Sequence, residues 1–468
     1  MVHSSQFTLD QFAPIAVYHK LKKHFKNEIS FLFESAGSSE GNYSFIIIGA
    51  QERLSFKNNI TTYTDALSQS KTLDEDPFSF LKSYYAKIDQ KAYRAKTREL
   101  GIGYIDGFIG YIGYDMVKVF EPILQSTMDA LKDELNTPDL DLIRPKLIVV
   151  YSHKTHKLTL VSSMQEMADD FTSIESELKS AYEYIPLKPT SASSQGGFAF
   201  SKEKFFDMVA RSKEMIKSGD VFQILMANRY TEFTDVDPFS FYRILRTKNP
   251  SPYMFLLEFE EFSIVGSSPE VMVRLQDGEL LLKPIAGTRK RGSTIAKDME
   301  MEEEMVNDPK ECAEHLMLID LGRNDVSRVA KTGTVQVHDM MHVERYSHVM
   351  HMVSDVIAEL REDKDMFDLF AATFTAGTMT GAPKIRAMQL IAEYEGLKRG
   401  FYSGAIGYFG FDGNMDSAIT IRTSMIKKDR IVFQAGAGVV ADSIPELEYL
   451  EVKNKLGALL SSLDDLKE

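Results

Sequence analysis

The sequence predicts an α+β fold rather than a doubly wound parallel sheet. Short strand-like runs cluster before a Pro-, Ser- and Gly-rich stretch at residues 186–200, PLKPTSASSQGGFAF. After it, long helical patterns mix with short strands instead of alternating regularly with them. No repeat of fixed period and no low-complexity tract interrupts either part. At 468 residues the chain is too long for one small core. The expected organisation is a first region over 1–185, a linker over 186–200 and a second region over 201–468, with the strands of the first free to pair with those of the second.

In the first region, strands are expected at 29–33, 44–48, 107–112, 146–151 and 157–161, where β-branched and aromatic residues concentrate. In the second, 202–217 reads as a helix, and 222–225, 263–265 and 280–282 as strands. A single long helix is expected over 299–320, and a strand turning into helix over 348–360. Helices at 367–374 and 382–394, strands at 405–409, 417–424 and 431–435, and a helix over 445–463 complete the chain.

Composition narrows the function. Hydrophobic residues make up 44% and charged residues 26%, as in ordinary globular proteins. The formal net charge of −14 repels nucleic acid and anionic membranes, so neither is an expected partner. An anionic substrate then needs a local cation. One cysteine, Cys312, precludes an internal disulfide and fits a reducing, cytoplasmic setting. The N-terminus lacks the basic-then-apolar pattern of a signal peptide, and no apolar run is long enough to span a membrane.

Five segments carry candidate chemistry. In DPKECAEHLMLIDLGRND, Glu311 and Glu314 lie three apart on one helical face. In PELEYLEVKNK, Glu448 and Glu451 repeat that spacing, with Lys455 four beyond and Ser443 and Glu446 placed for a capping box. Two such helices supply the carboxylate oxygens that Mg2+ accepts alongside water and substrate; a solvated acidic face is the plain alternative. In TFTAGTMTGAPK, Gly377 and Gly381 flank Thr378 and Thr380, with Pro383 placed for a first helical turn. This is either an anion-facing loop or simply a lead into a helix. In QAGAGVVADS, Gly436, Ala437 and Gly438 allow backbone amides to approach a carboxylate, or form a bulge or tight turn. Arg422 in DSAITIRTSMI suits a bidentate grip on a carboxylate, although strand arginines commonly face solvent. His315 and His351 are each a catalyst or a hydrogen-bonded structural residue. No phosphate loop, HExxH, GxSxG or cysteine cluster occurs, and Cys312 has no evident base beside it.

Together, in order and spacing, these segments over about 200–458 resemble the chorismate-binding enzyme family. FLFESAG (31–37) and GNYSFIIIG (41–49) resemble the N-terminal part of its anthranilate and aminodeoxychorismate synthase branch. The resemblance implies two β-sheets enclosing helices, with chorismate in a cleft beside Mg2+. It implies Glu314 and Glu451 as metal ligands supported by Glu311 and Glu448. It implies substrate contacts from Thr378, Tyr402, Arg422, Gly436, Ala437, Gly438 and Lys455, and from the Ala286-Gly287-Thr288 segment. Chorismate is a dicarboxylate, and Mg2+, Arg422 and Lys455 supply the positive field that the acidic chain lacks.

Two positions separate the family's chemistries. Ala286 stands where the aminodeoxychorismate branch often carries a lysine nucleophile, and alanine leaves room for ammonia. Gln223 stands where isochorismate and salicylate synthases carry a lysine base, and glutamine activates water poorly. The implied reaction is therefore that of the anthranilate synthase branch. Glu270 protonates the departing hydroxyl, ammonia adds, and His351 assists proton removal as pyruvate leaves. The chain lacks a glutaminase cysteine, so a glutamine amidotransferase subunit is the expected ammonia source. Pro252, Tyr253 and Met254, with Glu34 and Ser35, resemble the branch's tryptophan site and imply feedback inhibition. Lys290 and Ser327 depart from the usual proline and glycine of their motifs. The alternatives are an aminodeoxychorismate synthase component working without the lysine, or a non-catalytic sensor of chorismate or tryptophan.

Overall fold

The computed structural model describes residues 2–35, 42–191, 194–346 and 349–467. The end of FLFESAG, the first residue of GNYSFIIIG, part of the 186–200 stretch and His348 lie outside these.

Two antiparallel strands organise the molecule. Tyr43–Lys57 and Leu140–Ser152 are 15 and 13 residues long and pair along most of their length. Their register slips between Ala50 and Glu52, next to Gly49 at φ +70° and opposite Pro145. A bulge at this point bends the pair, and the two halves enter different sheets. From one half the first sheet runs through Ser30–Glu34, Tyr253–Glu258, Ser263–Ser268, Thr423–Lys427 and Arg430–Val439 to Gln223–Phe233. From the other, the second sheet runs through Gly107–Ile112, Ala405–Gly410, Met415–Ile419, Val271–Gln276 and Glu279–Leu282 to Val349–Glu359. The α+β architecture of two sheets holding helices is thus as expected, with strands of the first region inserted among those of the second. The 186–200 stretch ends in structure, because Ser194–Phe198 pairs with Gln223–Phe233.

Four local expectations are corrected. The single helix over 299–320 is two, Ile295–Asn307 and Pro309–Ser327, because Pro309 ends the first and starts the second. Residues 349–359 are strand throughout, held by strands on both sides. The expected strand over 417–424 breaks at residues 420–422, where Arg422 takes φ +50°. The capping box at Ser443 does not form: Ile444 occupies the cap of Pro445–Asp464, and the Ser443 hydroxyl accepts from the Val440 amide instead.

Candidate active site

The cleft is built where the ends of both sheets meet two helices. Asp308 caps Pro309–Ser327 by accepting from the Lys310 and Glu311 amides at 2.9 and 3.3 Å. This fixes the turn that carries Glu311 and Glu314. Facing it, Pro445–Asp464 presents Glu448, Glu451 and Lys455. Burial raises the Glu314 carboxyl above its ordinary value, and repulsion from Glu311 and Glu451 raises it further. Burial and then Glu451 do the same to Glu448. The repulsion between Glu314 and Glu451 therefore reaches from one helix to the other. Glu311 accepts from Arg289 at 2.9 Å and Glu451 pairs with Lys455 at 2.6 Å, while Glu314 makes no ion pair among the described residues. No three acidic or histidine side chains among those residues stand close enough to chelate an ion alone. This all-oxygen donor set fits a hard divalent cation held by one or two carboxylates and completed by water and substrate.

Glu270 lies deep in the cleft, 7% exposed, and accepts a 2.8 Å hydrogen bond from the Thr378 hydroxyl. Burial pushes its carboxyl up to about 7, with Thr378 and Lys455 pulling partly against it. A substantial fraction of Glu270 is therefore protonated at neutral pH, which a proton donor requires. His351 is held below its ordinary value, chiefly by burial. Its Nδ1 lies 3.1 Å from the Gly287 carbonyl, which only accepts, so Nδ1 carries the proton and Nε2 the lone pair. The Thr288 hydroxyl lies 3.0 Å from the same nitrogen. A bulge at Gly287, φ +65°, sets this up: Ala286 pairs with Met352 and Thr288 with His351.

Cationic and amide donors converge from the first sheet and from the helix Pro445–Asp464. The Lys455 ammonium donates to the Gly436 carbonyl at 2.9 Å, and Arg422 Nη1 donates to the Lys455 carbonyl at 3.1 Å. Gly436, Ala437 and Gly438 form neither bulge nor tight turn. They lie in regular strand, paired with Ala227, Met226 and Leu225. Pairing on the other side ends at Phe433, so Gly436 and Gly438 turn their amides to an open edge. A Cβ on Gly436 would stand 2.5 Å from Leu225 Cδ2 and 3.0 Å from the Tyr402 hydroxyl. A Cβ on Gly438 would stand 2.9 Å from Gln223 Nε2. Tyr402 is buried there, with the Arg399 guanidinium 5.8 Å from its ring centre. Gln223 is 5% exposed, and its Oε1 has no hydrogen-bond partner. His315 takes a structural place: Nε2 meets the Ser354 hydroxyl at 2.7 Å, and burial pushes the ring down to about 4.

The five residues expected at a tryptophan site come together as well. Met254 pairs with Glu34 across neighbouring strands. Glu34, Ser35, Pro252, Tyr253 and Met254 all line a cavity of about 430 Å3 with apolar walls including Phe33, Phe45, Tyr104 and Phe255. The Glu34 carboxylate is committed to Arg246, at 2.8 and 3.1 Å, and to the Tyr242 hydroxyl at 2.7 Å. Sequence reasoning missed Asp416 and Arg274 in the same wall, where the Tyr253 hydroxyl donates to Asp416 at 2.9 Å. The signal available was their place among otherwise apolar strand residues.

The chain matches the family described as chorismate binding enzyme over residues 28–461. It is 40% identical to anthranilate synthase component 1 of Aquifex aeolicus over 99% of this chain and 94% of that one. To its counterpart in Lactococcus lactis it is 38% identical over 97% and 98%. The structure matches the crystal structure of anthranilate synthase component I from Streptococcus pneumoniae with a TM-score of 0.78 at 33% identity, covering 96% of this chain and 98% of that one. The menaquinone-specific isochorismate synthase MenF of Escherichia coli shares the fold at a TM-score of 0.73 and 20% identity. The chain belongs to the chorismate-binding enzyme family, in its anthranilate synthase component 1 group.

Proposed function

We propose that the chain converts chorismate and ammonia to anthranilate and pyruvate by way of 2-amino-2-deoxyisochorismate, as the large subunit of an anthranilate synthase. The observation that carries this reading is Glu270, a buried carboxyl with a pKa near 7, in one cleft with a neutral His351. Arg422, Lys455 and the open-edge amides of Gly436 and Gly438 bind and orient the two substrate carboxylates. Glu270 gives its proton to the departing ring hydroxyl as ammonia adds. His351 Nε2 then takes the ring proton as the ring C–O bond breaks and the enolpyruvyl group leaves as an enolate, which takes up a proton on its methylene carbon to become pyruvate; aromatisation drives the step. Ala286 leaves space for ammonia, and Gln223 offers no base to activate water.

Glu314 and Glu451, supported by Glu311 and Glu448, would hold Mg2+, which when bound neutralises the ring carboxylate and strengthens its attachment to the acidic helices. The ammonia comes from a glutamine amidotransferase partner, because the one cysteine, Cys312, lies in a helix with its thiol donating to the Val306 carbonyl. The apolar cavity takes tryptophan as feedback inhibitor. Among the described residues no helix is long and apolar enough to cross a membrane.

The purified chain, given chorismate, ammonium salt at alkaline pH and Mg2+, is expected to release anthranilate and pyruvate in equal amounts, with EDTA abolishing both. Formation of 4-amino-4-deoxychorismate without pyruvate would reject this reading.

A further inference from the structure

The wall between the tryptophan cavity and the cleft is one side chain thick at Tyr346. The ring of Tyr346 lines the cavity and also packs against the His351 ring, with centroids 5.5 Å apart. Its hydroxyl donates to Glu344 Oε2 at 2.6 Å. Glu344 lines the same cavity, stands directly across the strand pair from His351, and accepts from Lys283, another cavity residue, at 2.9 Å. Strand pairing, a ring contact and two hydrogen bonds thus join Lys283, Glu344, Tyr346 and His351. On the reading of the cavity as a tryptophan site, we infer that Tyr346, held by Glu344, is the positioning residue through which tryptophan in the cavity disturbs His351 in the cleft.

The physical basis is packing. An occupant large enough to fill the cavity presses on the Tyr346 ring, which its hydroxyl bond to Glu344 anchors against the His351 ring. The Nδ1 bond to Gly287 fixes which His351 nitrogen is free, so a rotation of the imidazole misdirects it and, because the ring belongs to the cleft that takes chorismate, weakens chorismate binding as well. Because linkage is reciprocal, a wall that lets tryptophan weaken chorismate binding lets chorismate weaken tryptophan binding by the same factor.

The chain contains no tryptophan, so the fluorescence of added tryptophan, excited to the red of the absorption of the chain's 20 tyrosines, reports binding. Tryptophan affinity is measured with and without chorismate and Mg2+, in ammonium-free buffer, for the wild-type chain, Tyr346→Phe and Glu344→Gln. The first variant keeps the ring and removes its hydrogen bond; the second weakens the same bond from the other side. In the wild type chorismate should weaken tryptophan binding by about tenfold or more. In both variants that linkage factor should fall towards 1, whatever the change in tryptophan affinity measured without chorismate. An undiminished linkage factor in the variants overturns the inference, as does loss of tryptophan affinity with linkage intact. A wild-type chain that binds no tryptophan overturns instead the reading of the cavity on which it rests.

Discussion

At the scale of single residues, one carboxyl and its surroundings decide the chemistry. An ordinary glutamate is almost wholly ionised at neutral pH, whereas burial pushes Glu270 up to about 7. The Thr378 hydroxyl favours the charged form and so keeps this pKa from rising further. Thr378→Val removes that donor. The alkaline limb of kcat against pH, expressed per ammonia rather than ammonium, is then expected to move upward by about one unit. A downward shift or none would mean that another group sets this limb. Glu270 was legible from the sequence only through family resemblance. GSSPE has no spacing that marks an acid, and what raises its pKa is the tertiary burial of a residue at a strand edge.

At the scale of elements, punctuation governs where the ligands fall. Gly436 shows how closely backbone and side chain are fitted: a methyl there meets Leu225, the Met226 carbonyl and the Tyr402 hydroxyl within 3.0 Å. Gly436→Ala should raise the KM for chorismate by about tenfold, equivalent to about 1.4 kcal/mol, while the chain still folds; steady-state kinetics beside a melting curve checks both. Behind the Thr378 loop, the half-buried Lys384 pairs with the buried Asp325 at 2.5 Å and donates to the Thr373 carbonyl. Lys384→Met leaves that carboxylate uncompensated and should cost about 3–5 kcal/mol by denaturant unfolding. Helix faces were the most readable feature. The pairs Glu311–Glu314 and Glu448–Glu451 follow from three-residue spacing and do face the cleft. The break at Pro309 was also written in the sequence and outweighs the helical periodicity around it. The positive φ of Arg422 was not, because alternation of apolar residues continues through a kink that only tertiary packing imposes.

At the scale of the whole molecule, the bent strand pair Tyr43–Lys57 and Leu140–Ser152 joins both sheets and so fixes the cavity relative to the cleft. The sequence shows that FLFESAG and NPSPYMFLLEF exist, but their meeting depends on a register set between strands more than 200 residues apart. That Asp416, Arg274 and Tyr346 join the same wall was illegible for the same reason, although Asp416 and Arg274 stand out as charges among apolar strand residues. Folding also carries a pH signature of the site. The folded Glu270 pKa, about 7, lies above its unfolded value of 4.5. Between these values the folded chain keeps a proton that the unfolded chain releases, so stability falls as pH rises through that window and levels off above it. Glu270→Gln lacks this group. Its melting temperature relative to wild type should therefore climb from pH 4.5 to 7.5, tracking about 3 kcal/mol in stability. The same variant gives the most direct test of the central claim, that the cleft works through a proton held on Glu270. With saturating chorismate, ammonia and Mg2+, Glu270→Gln should make anthranilate about 10²–10⁴ times more slowly than the wild type while remaining folded. Turnover close to wild type would contradict the account.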